Sequence, residues 1–263
     1  MSENQGDGSG SRQGKPADLT QTESQGLPEG QDTLPAGRGK APGLIDALLV
    51  FAAFMLLWLI ISLVVSFLSP YLSKVTLTYL GGFLIQGSIA LTLTGLILGR
   101  GFGLSVLGYR RVPFGSLLLS AFAAYASVLV ADIIYGLFIV LKGLKPPVQN
   151  VYDYLFTRQD PLSVALTLLL AVIIAPVLEE TFFRGVIYNS LRSKLAPWLS
   201  ALISAAVFSG IHMQLWGFVP RFFLGIALAL LYEKYRSLYP GMALHALNNT
   251  IAVLIGLTVK LPS

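Results

Sequence analysis

Two adjacent carboxylates mark the first of three polar clusters whose side chains could perform acid–base chemistry. Glu179 and Glu180 follow one another, and Arg184 lies four residues after Glu180. On a helix, Glu180 and Arg184 share a face in the order that favours an ion pair. Glu179 points about 100° away on the same helix and has Phe182 and Phe183 at the positions where a partner would lie. The spacing therefore predicts a structural role for Glu180 and an acid–base role for an unpaired Glu179.

The only two histidines of the chain belong to the other two clusters. His212 lies four residues after Phe208, and Asn249 lies four residues after His245, so the members of each pair share a helix face. Histidine exchanges protons near neutral pH, and His and Asn side chains can donate hydrogen bonds to a developing oxyanion. Each cluster alone is more typical of a hydrogen-bonded residue in a helix interface than of a catalytic site.

The elements that must position these residues are membrane helices. Of the 263 residues, 54% are hydrophobic and 12% are charged, whereas soluble domains carry about 25% charged residues. The mean hydropathy is +0.71. This composition excludes a soluble enzyme, a nucleic-acid-binding module and a disordered protein, and it predicts an all-α, polytopic transmembrane helix bundle. The chain has no cysteine, which excludes disulfides and thiolate chemistry.

Seven apolar stretches approach the length of about 20 residues that a membrane-spanning helix needs. Twelve of the 18 Lys and Arg residues fall on the same side as the N terminus, which predicts a cytoplasmic N terminus. The predicted spans are 44–68, 75–98, 114–141, 161–191, 198–215, 218–235 and 242–259.

The first 43 residues differ from the rest of the chain. They contain no aromatic residue but nine Gly, four Pro and five Gln, a composition with too little apolar surface to offset the entropy of folding. We therefore expect two regions, a disordered polar tail at 1–43 and a multi-span membrane domain at 44–263.

The complete, ordered set of motifs resembles a known family. Glu179-Glu180-x-x-x-Arg184, Phe208-x-x-x-His212 and His245-x-x-x-Asn249 are similar to the motifs of the CPBP intramembrane proteases, also called the CAAX protease and bacteriocin-processing, or ABI, family. The resemblance covers about residues 100–260. It implies a multi-pass protein of a prokaryotic cell membrane, embedded in the lipid bilayer. It also implies a glutamic endopeptidase, without metal or other cofactor and without a nucleic-acid partner, whose substrate is a membrane-associated peptide or protein. That substrate could be a prenylated C-terminal tail, a leader peptide or a membrane-protein segment.

The resemblance also implies a role for each motif residue. Glu179 is expected to be the general base that activates a water molecule, and His212 to help hold that water. His245 and Asn249 are expected to stabilise the tetrahedral oxyanion. The residues expected to support the site are Glu180, Arg184 and Phe208.

Three other functions remain open at this stage. Glu179, His212 and His245 could be zinc ligands of a metal-dependent protease. The chain could instead be a non-catalytic bacteriocin-immunity or membrane scaffold protein of the same family. Asp132 and Arg221, two charges within predicted spans, could form the charge pathway of a transporter, or simply pair with each other.

The predicted spans leave one geometric difficulty for a shared site. His212 would lie 14 residues into the fifth span, about 21 Å along a helix, whereas His245 lies near the start of the seventh span. The two histidines can meet only through a helix tilt, a helix break near Gly210 or a re-entrant segment through Trp216 and Gly217.

Overall fold

All regular structure in the described residues is helical. The computed structural model describes residues 41–145 and 160–258. Six helices there are long and apolar enough to cross a membrane, which confirms the all-α, multi-span fold. They are α1 (Leu44–Leu68), α2 (Lys74–Arg100), α4 (Phe114–Leu141), α5 (Pro161–Arg192), α7 (Leu215–Tyr235) and α8 (Tyr239–Thr258). Two shorter helices are α3 (Leu104–Leu107) and α6 (Pro197–Gly210). Residues 1–40 of the predicted tail lie outside the described residues.

Local sequence explains where the helices that carry the site begin and end. The side chain of Ser73 accepts a hydrogen bond from the backbone of Thr76 at the start of α2, and Gly101 ends that helix in the left-handed conformation, with φ of 68°. Asp160 caps α5 in the same way, and hydrogen bonds from the Ser163 hydroxyl and N–H hold the pKa of Asp160 below its usual value. The start and end of α2 and the start of α5 therefore carry residue types that favour helix termini.

The prediction of a fifth full-length span is wrong. Helix α6 has 14 residues and ends at Gly210, so it is about 21 Å long, shorter than the roughly 30 Å of a bilayer core. The chain then turns, with Met213 at a positive φ of 52°, before α7 begins at Leu215. His212 therefore lies in a turn rather than deep in a helix. The turn provides the helix break that a shared site requires.

Helix α5 changes its winding on both sides of the carboxylates. Residues Leu169–Ile174 and Thr181–Tyr188 are π-helical. Pro176 has no N–H and its ring would clash with the carbonyl four residues earlier, and a wider π turn accommodates it. Every residue from Glu179 to Tyr188 is buried. The carboxylates thus lie at a distorted, central position of the bundle.

A chain of aromatic rings connects α5 to its neighbours. Phe54 of α1 packs edge-on against Phe182, with ring centroids 5.2 Å apart. Phe183 continues the chain to Phe208 of α6, again at 5.2 Å. Helix α7 packs closely on α6 at Gly225, where an added Cβ would lie 2.9 Å from the Cα of Ala205. These contacts bring α6 and α7 against the face of α5 that bears the site.

Candidate active site

Glu180, Arg184 and the backbone carbonyl of Gly225 form a buried, hydrogen-bonded group, which we call the sealed cluster. Glu180 Oε1 accepts a hydrogen bond of 2.9 Å from Arg184 Nη1, and the carboxylate and guanidinium side chains are 1% and 0% exposed. The other guanidinium nitrogen, Nη2, donates to the backbone carbonyl of Gly225 at 3.1 Å. The structure therefore contains the ion pair that the spacing on α5 predicts, and the pair also ties α5 to α7.

Phe208 covers the guanidinium of Arg184 on the side of α6. The guanidinium carbon lies 4.7 Å from the centroid of the Phe208 ring, within the range of a cation–π contact. The same ring packs edge-on against both histidines, with centroid distances of 5.2 Å to His212 and 5.8 Å to His245. Phe208 thus contacts the guanidinium of the ion pair and both imidazoles.

Glu179 is not unpaired, contrary to the prediction from its own helix. Gln86 of α2 donates a hydrogen bond of 2.7 Å from its Nε2 to Glu179 Oε1. The second oxygen, Oε2, lies 3.8 Å from His245 Nε2. The prediction failed because it considered only neighbours three and four residues along α5, whereas both contacts come from other helices.

His245 lies between the two carboxylates. Its Nδ1 is 3.0 Å from Glu180 Oε1, and its Nε2 faces Glu179. An ionised carboxylate accepts hydrogen bonds only, so Nδ1 supplies the hydrogen of the bond to Glu180. The imidazole is 3% exposed. Glu180 thus fixes the ring so that its second nitrogen points towards Glu179.

The four residues predicted to be catalytic line one cavity of about 720 Å³. Helix α5 contributes Glu179, the turn after α6 contributes His212, and α8 contributes His245 and Asn249. Gln86 of α2 lies in the same wall. The helix break after Gly210 therefore brings both histidines to one site, which resolves the difficulty posed by their positions in the sequence.

Hydrogen bonds to backbone carbonyls orient His212 and Asn249. His212 Nδ1 is 2.8 Å from the carbonyl oxygen of Phe208, and Asn249 Nδ2 donates to the carbonyl of Ala171 at 2.8 Å. The second bond follows from the sequence of α5. In the π turn, Ala175 N bonds to the carbonyl five residues earlier, so Ala171 would next receive the N–H that Pro176 lacks. Asn249 supplies this hydrogen and keeps a second N–H for the cavity.

Two further charges lie in the wall of the same cavity. Asp132 comes from α4 and Arg221 from α7, and the Arg221 guanidinium donates to the side-chain oxygen of Gln214. The pairing of Asp132 with Arg221 stays a prediction. Within residues 41–145 and 160–258, no three histidine, cysteine or acidic side chains are arranged to hold a metal ion.

Sequence reasoning missed Gln86. It searched the spans for ionisable side chains, and the family resemblance that it used covers only about residues 100–260. The available signal was the amide itself, a strongly polar group near the middle of the apolar α2. Asn248, beside the predicted Asn249, also lines the cavity and was given no role.

A family comparison matches the part of the chain that holds this site. Residues 161–251 match the family described as Rce1-like, type II CAAX prenyl endopeptidase. This segment begins at α5 and includes all three motifs. The match confirms the resemblance predicted from the motifs, whereas Gln86 and Asp132 lie outside the matched residues.

Three curated proteins are similar to parts of the chain. An uncharacterized 24.3 kDa protein of Escherichia coli is 32% identical over 132 residues, covering 48% of this chain and 61% of that protein. YdiL of Bacillus subtilis, named as a candidate membrane peptidase, is 28% identical over 95 residues, or 36% of this chain and 39% of YdiL. YvdC of Lactococcus lactis is 29% identical over 146 residues, or 54% of each protein.

The chain spans between 39% and 61% of the length of these relatives. No solved structure is significantly similar to it. The family match, the three motifs in order and the candidate membrane spans agree with one another, and residues 161–251 of the chain are similar to the Rce1-like family of type II CAAX prenyl endopeptidases.

Proposed function

We propose that the chain is an intramembrane glutamic endopeptidase that hydrolyses a peptide bond with a water activated by Glu179. The observation that carries this proposal is the position of Glu179, His212, His245 and Asn249 in the wall of one cavity inside the helix bundle. Such a cavity admits both a water molecule and a peptide, within the size range of about 300–1,000 Å³ that ligand sites usually have.

In this mechanism Glu179 Oε2 takes a proton from a water molecule as the water oxygen attacks the peptide carbonyl carbon. His212, on the same wall, helps to hold that water. The carbonyl oxygen becomes an oxyanion, and Asn249 donates a hydrogen bond to it. His245 is the second donor, through Nε2, in the form that carries a proton on both ring nitrogens. The C–N bond then breaks, the proton passes from Glu179 to the departing nitrogen, and the carboxylate is restored. The products are a new carboxyl end and a new amine.

The sealed cluster supports this chemistry without contacting the substrate. Arg184 holds the Glu180 carboxylate, Glu180 holds Nδ1 of His245, and this bond directs Nε2 towards Glu179. Because the guanidinium is also bonded to Gly225 and covered by Phe208, the chain of contacts is fixed at its Arg184 end. Preorganised donors of this kind need no rearrangement as charge develops.

The family description suggests a substrate with a prenyl group near its C terminus. The wall of the cavity is compatible with such a substrate, because apolar side chains accompany the polar residues. These apolar residues include Leu170, Ala171, Ala175, Leu224, Ala252 and Val253. A leader peptide or another membrane-protein segment would use the same peptide chemistry.

The test uses the full chain purified in detergent and an internally quenched peptide that carries a farnesylated cysteine near its C terminus. The same peptide without the prenyl group is the second probe. We expect the wild type to cleave the farnesylated peptide and Glu179→Gln to be inactive. Asp160→Asn is the matched control, because it changes a carboxylate into an amide outside the cavity and keeps the helix cap.

Mass spectrometry of membrane proteins from cells with wild-type or Glu179→Gln protein extends the test to natural substrates. New protein ends that depend on Glu179 support the proposal. Cleavage by Glu179→Gln at the wild-type rate contradicts it. Cleavage that a chelator abolishes and zinc restores would instead support a metal-dependent protease. Absence of any Glu179-dependent cleavage, of peptides or in cells, would support a non-catalytic binding protein.

A further inference from the structure

One face of α2 follows α5 from its start to the carboxylates. Tyr79, Gly82 and Gln86 lie three and four residues apart and therefore share this face. The hydroxyl of Tyr79 donates to the carbonyl of Ser163 at 2.7 Å. An added Cβ on Gly82 would lie 2.6 Å from Leu170 Cδ2, so the two helices approach closely there. This register brings Gln86 within hydrogen-bond distance of Glu179.

The side-chain amide of Gln86 bonds to Glu179 through its nitrogen, while its oxygen has no partner among the described residues. Nε2 donates to Glu179 Oε1 at 2.7 Å, and the residue is 8% exposed. The amide oxygen is buried and has no hydrogen-bond partner among the described residues. A buried acceptor without a partner costs free energy. The bond to Glu179 is therefore the side-chain hydrogen bond that the described residues provide for this amide.

The bond from Gln86 makes the two carboxylate oxygens of Glu179 unequal. Oε1 is occupied by the amide, whereas Oε2 lies 3.8 Å from His245 Nε2. That separation is too long for a direct hydrogen bond, but one water molecule can contact both atoms. Oε2 is therefore the oxygen that is available to a reacting water.

We propose that Gln86 is a positioning residue that holds Oε1 of Glu179 and so presents Oε2 as the basic atom. This inference rests on the proposed function, in which Glu179 activates water. Gln86 lies outside residues 161–251, so the family match does not include it. The residue acts through Glu179 and contacts no reacting atom itself.

The kinetic test compares Gln86→Met with the wild type on the farnesylated quenched peptide. Methionine is of similar length but cannot donate a hydrogen bond, so we expect kcat to fall about 10- to 100-fold, the value of one hydrogen bond to a charged group. The KM should change less than about threefold, because the amide does not bind substrate. Gln86→Asn keeps a donor on a shorter side chain and should recover part of the lost kcat.

Thr92→Val is the matched control on the same helix. Thr92 is buried and, within the described part of the chain, its hydroxyl bonds to carbonyls of α2 alone, those of Ser88 and Ile89. This variant also removes a buried polar group from α2, but the hydrogen bonds that it removes lie within α2 and do not involve Glu179. We expect its kcat to stay close to the wild-type value.

A second measurement does not depend on activity. Infrared difference spectra between the wild type and Glu179→Gln isolate the carboxylate band of Glu179. Gln86→Met should shift this band, because a hydrogen bond to Oε1 is lost, whereas Thr92→Val should leave it in place. If Gln86→Met folds poorly, Gln86→Leu provides the same comparison, because leucine also lacks a hydrogen-bond donor.

The outcomes separate the two proposals. If Glu179→Gln is inactive but Gln86→Met keeps the wild-type kcat, or the carboxylate band does not move, the inference about Gln86 is overturned and the proposed function stands. If Glu179→Gln cleaves at the wild-type rate, the proposed function is overturned. A loss in Gln86→Met that appears equally in Thr92→Val would reveal a purely structural effect and would also overturn the inference.

Discussion

The neighbouring carboxylates Glu179 and Glu180 belong to two regions with opposite character. The sealed cluster contains Glu180, Arg184 and the Gly225 carbonyl, and its charges bond to one another with almost no exposure. The cavity wall contains Glu179, His212 and Asn249, whose polar atoms face a space of about 720 Å³. His245 belongs to both regions, with one ring nitrogen on each side.

Because of this difference, we expect Glu180 to contribute mainly to stability and Glu179 mainly to activity, although both residues lie on α5. A charge that is fully buried and paired is expensive to leave without its partner, so changes in the sealed cluster should lower stability first. A carboxylate on a cavity wall can meet water and substrate, so changes there should lower activity first. The following variants test whether the two regions are separable in this way.

The largest expected effect is the contrast between Glu179→Gln and Glu180→Gln. We expect Glu179→Gln to lose activity towards the upper end of the about 10²- to 10⁴-fold range of general acid–base catalysis, with little change in thermal stability. Glu180→Gln should instead lower the unfolding temperature in detergent. Equal losses of activity and stability in both variants would show that the two regions are not separable.

Arg184→Met should be the most destabilising change in the sealed cluster. It leaves Glu180 buried without its cation, which typically costs about 3–5 kcal/mol. The control is Arg192→Met, because Arg192 pairs with Glu233 while 25% exposed, and such pairs contribute about 0–1 kcal/mol. Unfolding followed by circular dichroism in mixed detergent measures both. Similar stabilities for the two variants would contradict the sealed character of the cluster.

Asn249→Ala tests the proposed oxyanion donor that α8 contributes to the cavity wall. Loss of one oxyanion donor typically lowers kcat about 10²- to 10³-fold. The bond to Ala171 is lost as well, so a smaller drop in stability should accompany it. Thr250→Ala is the neighbouring control, because the Thr250 hydroxyl bonds to the carbonyl of Ala246 on the same helix, and we expect it to retain most of the activity. The assay is cleavage of the farnesylated peptide, and a kcat of Asn249→Ala within tenfold of the wild type would argue against the oxyanion role.

Gly241→Ala probes the packing around the sealed cluster. The added Cβ would lie 3.0 Å from Glu180 Oε2 in a fully buried site, and overpacking of this kind costs about 1–3 kcal/mol. Gly210→Ala is the control, since nothing lies within 4 Å of the corresponding Cβ. Thermal unfolding in detergent should show a loss for Gly241→Ala alone.

Deletion of residues 2–37 should have the smallest effect. The deletion keeps the contacts in which Ser190 donates to the carbonyl of Pro42 and Arg100 pairs with Asp46. We propose that the tail is dispensable, so insertion, unfolding temperature and peptide cleavage should match those of the full chain. A loss of insertion or activity would assign the tail a function.

The sequence was most informative about features that lie along one helix. Spans 44–68 and 114–141 were predicted at their observed bounds. The Glu180–Arg184 pair followed from a spacing of four residues. The fifth span was predicted too long, because hydropathy continues through Ile211 and Leu215 while the backbone turns at Met213. Hydropathy reports which residues avoid water, and it carries no information on where an apolar chain bends.

Contacts between helices were decided by the tertiary structure. The sequence alone determined that Glu179, His212, His245 and Asn249 belong to an ordered set of motifs in apolar segments of the chain, because motif spacing and apolar length are properties of the chain itself. Only the packing decided that Gln86 bonds to Glu179 and that His245 lies between two carboxylates. The physical reason is that backbone geometry sets distances within one helix, whereas the register and approach of different helices depend on side chains far apart in sequence, such as Gly82 against Leu170.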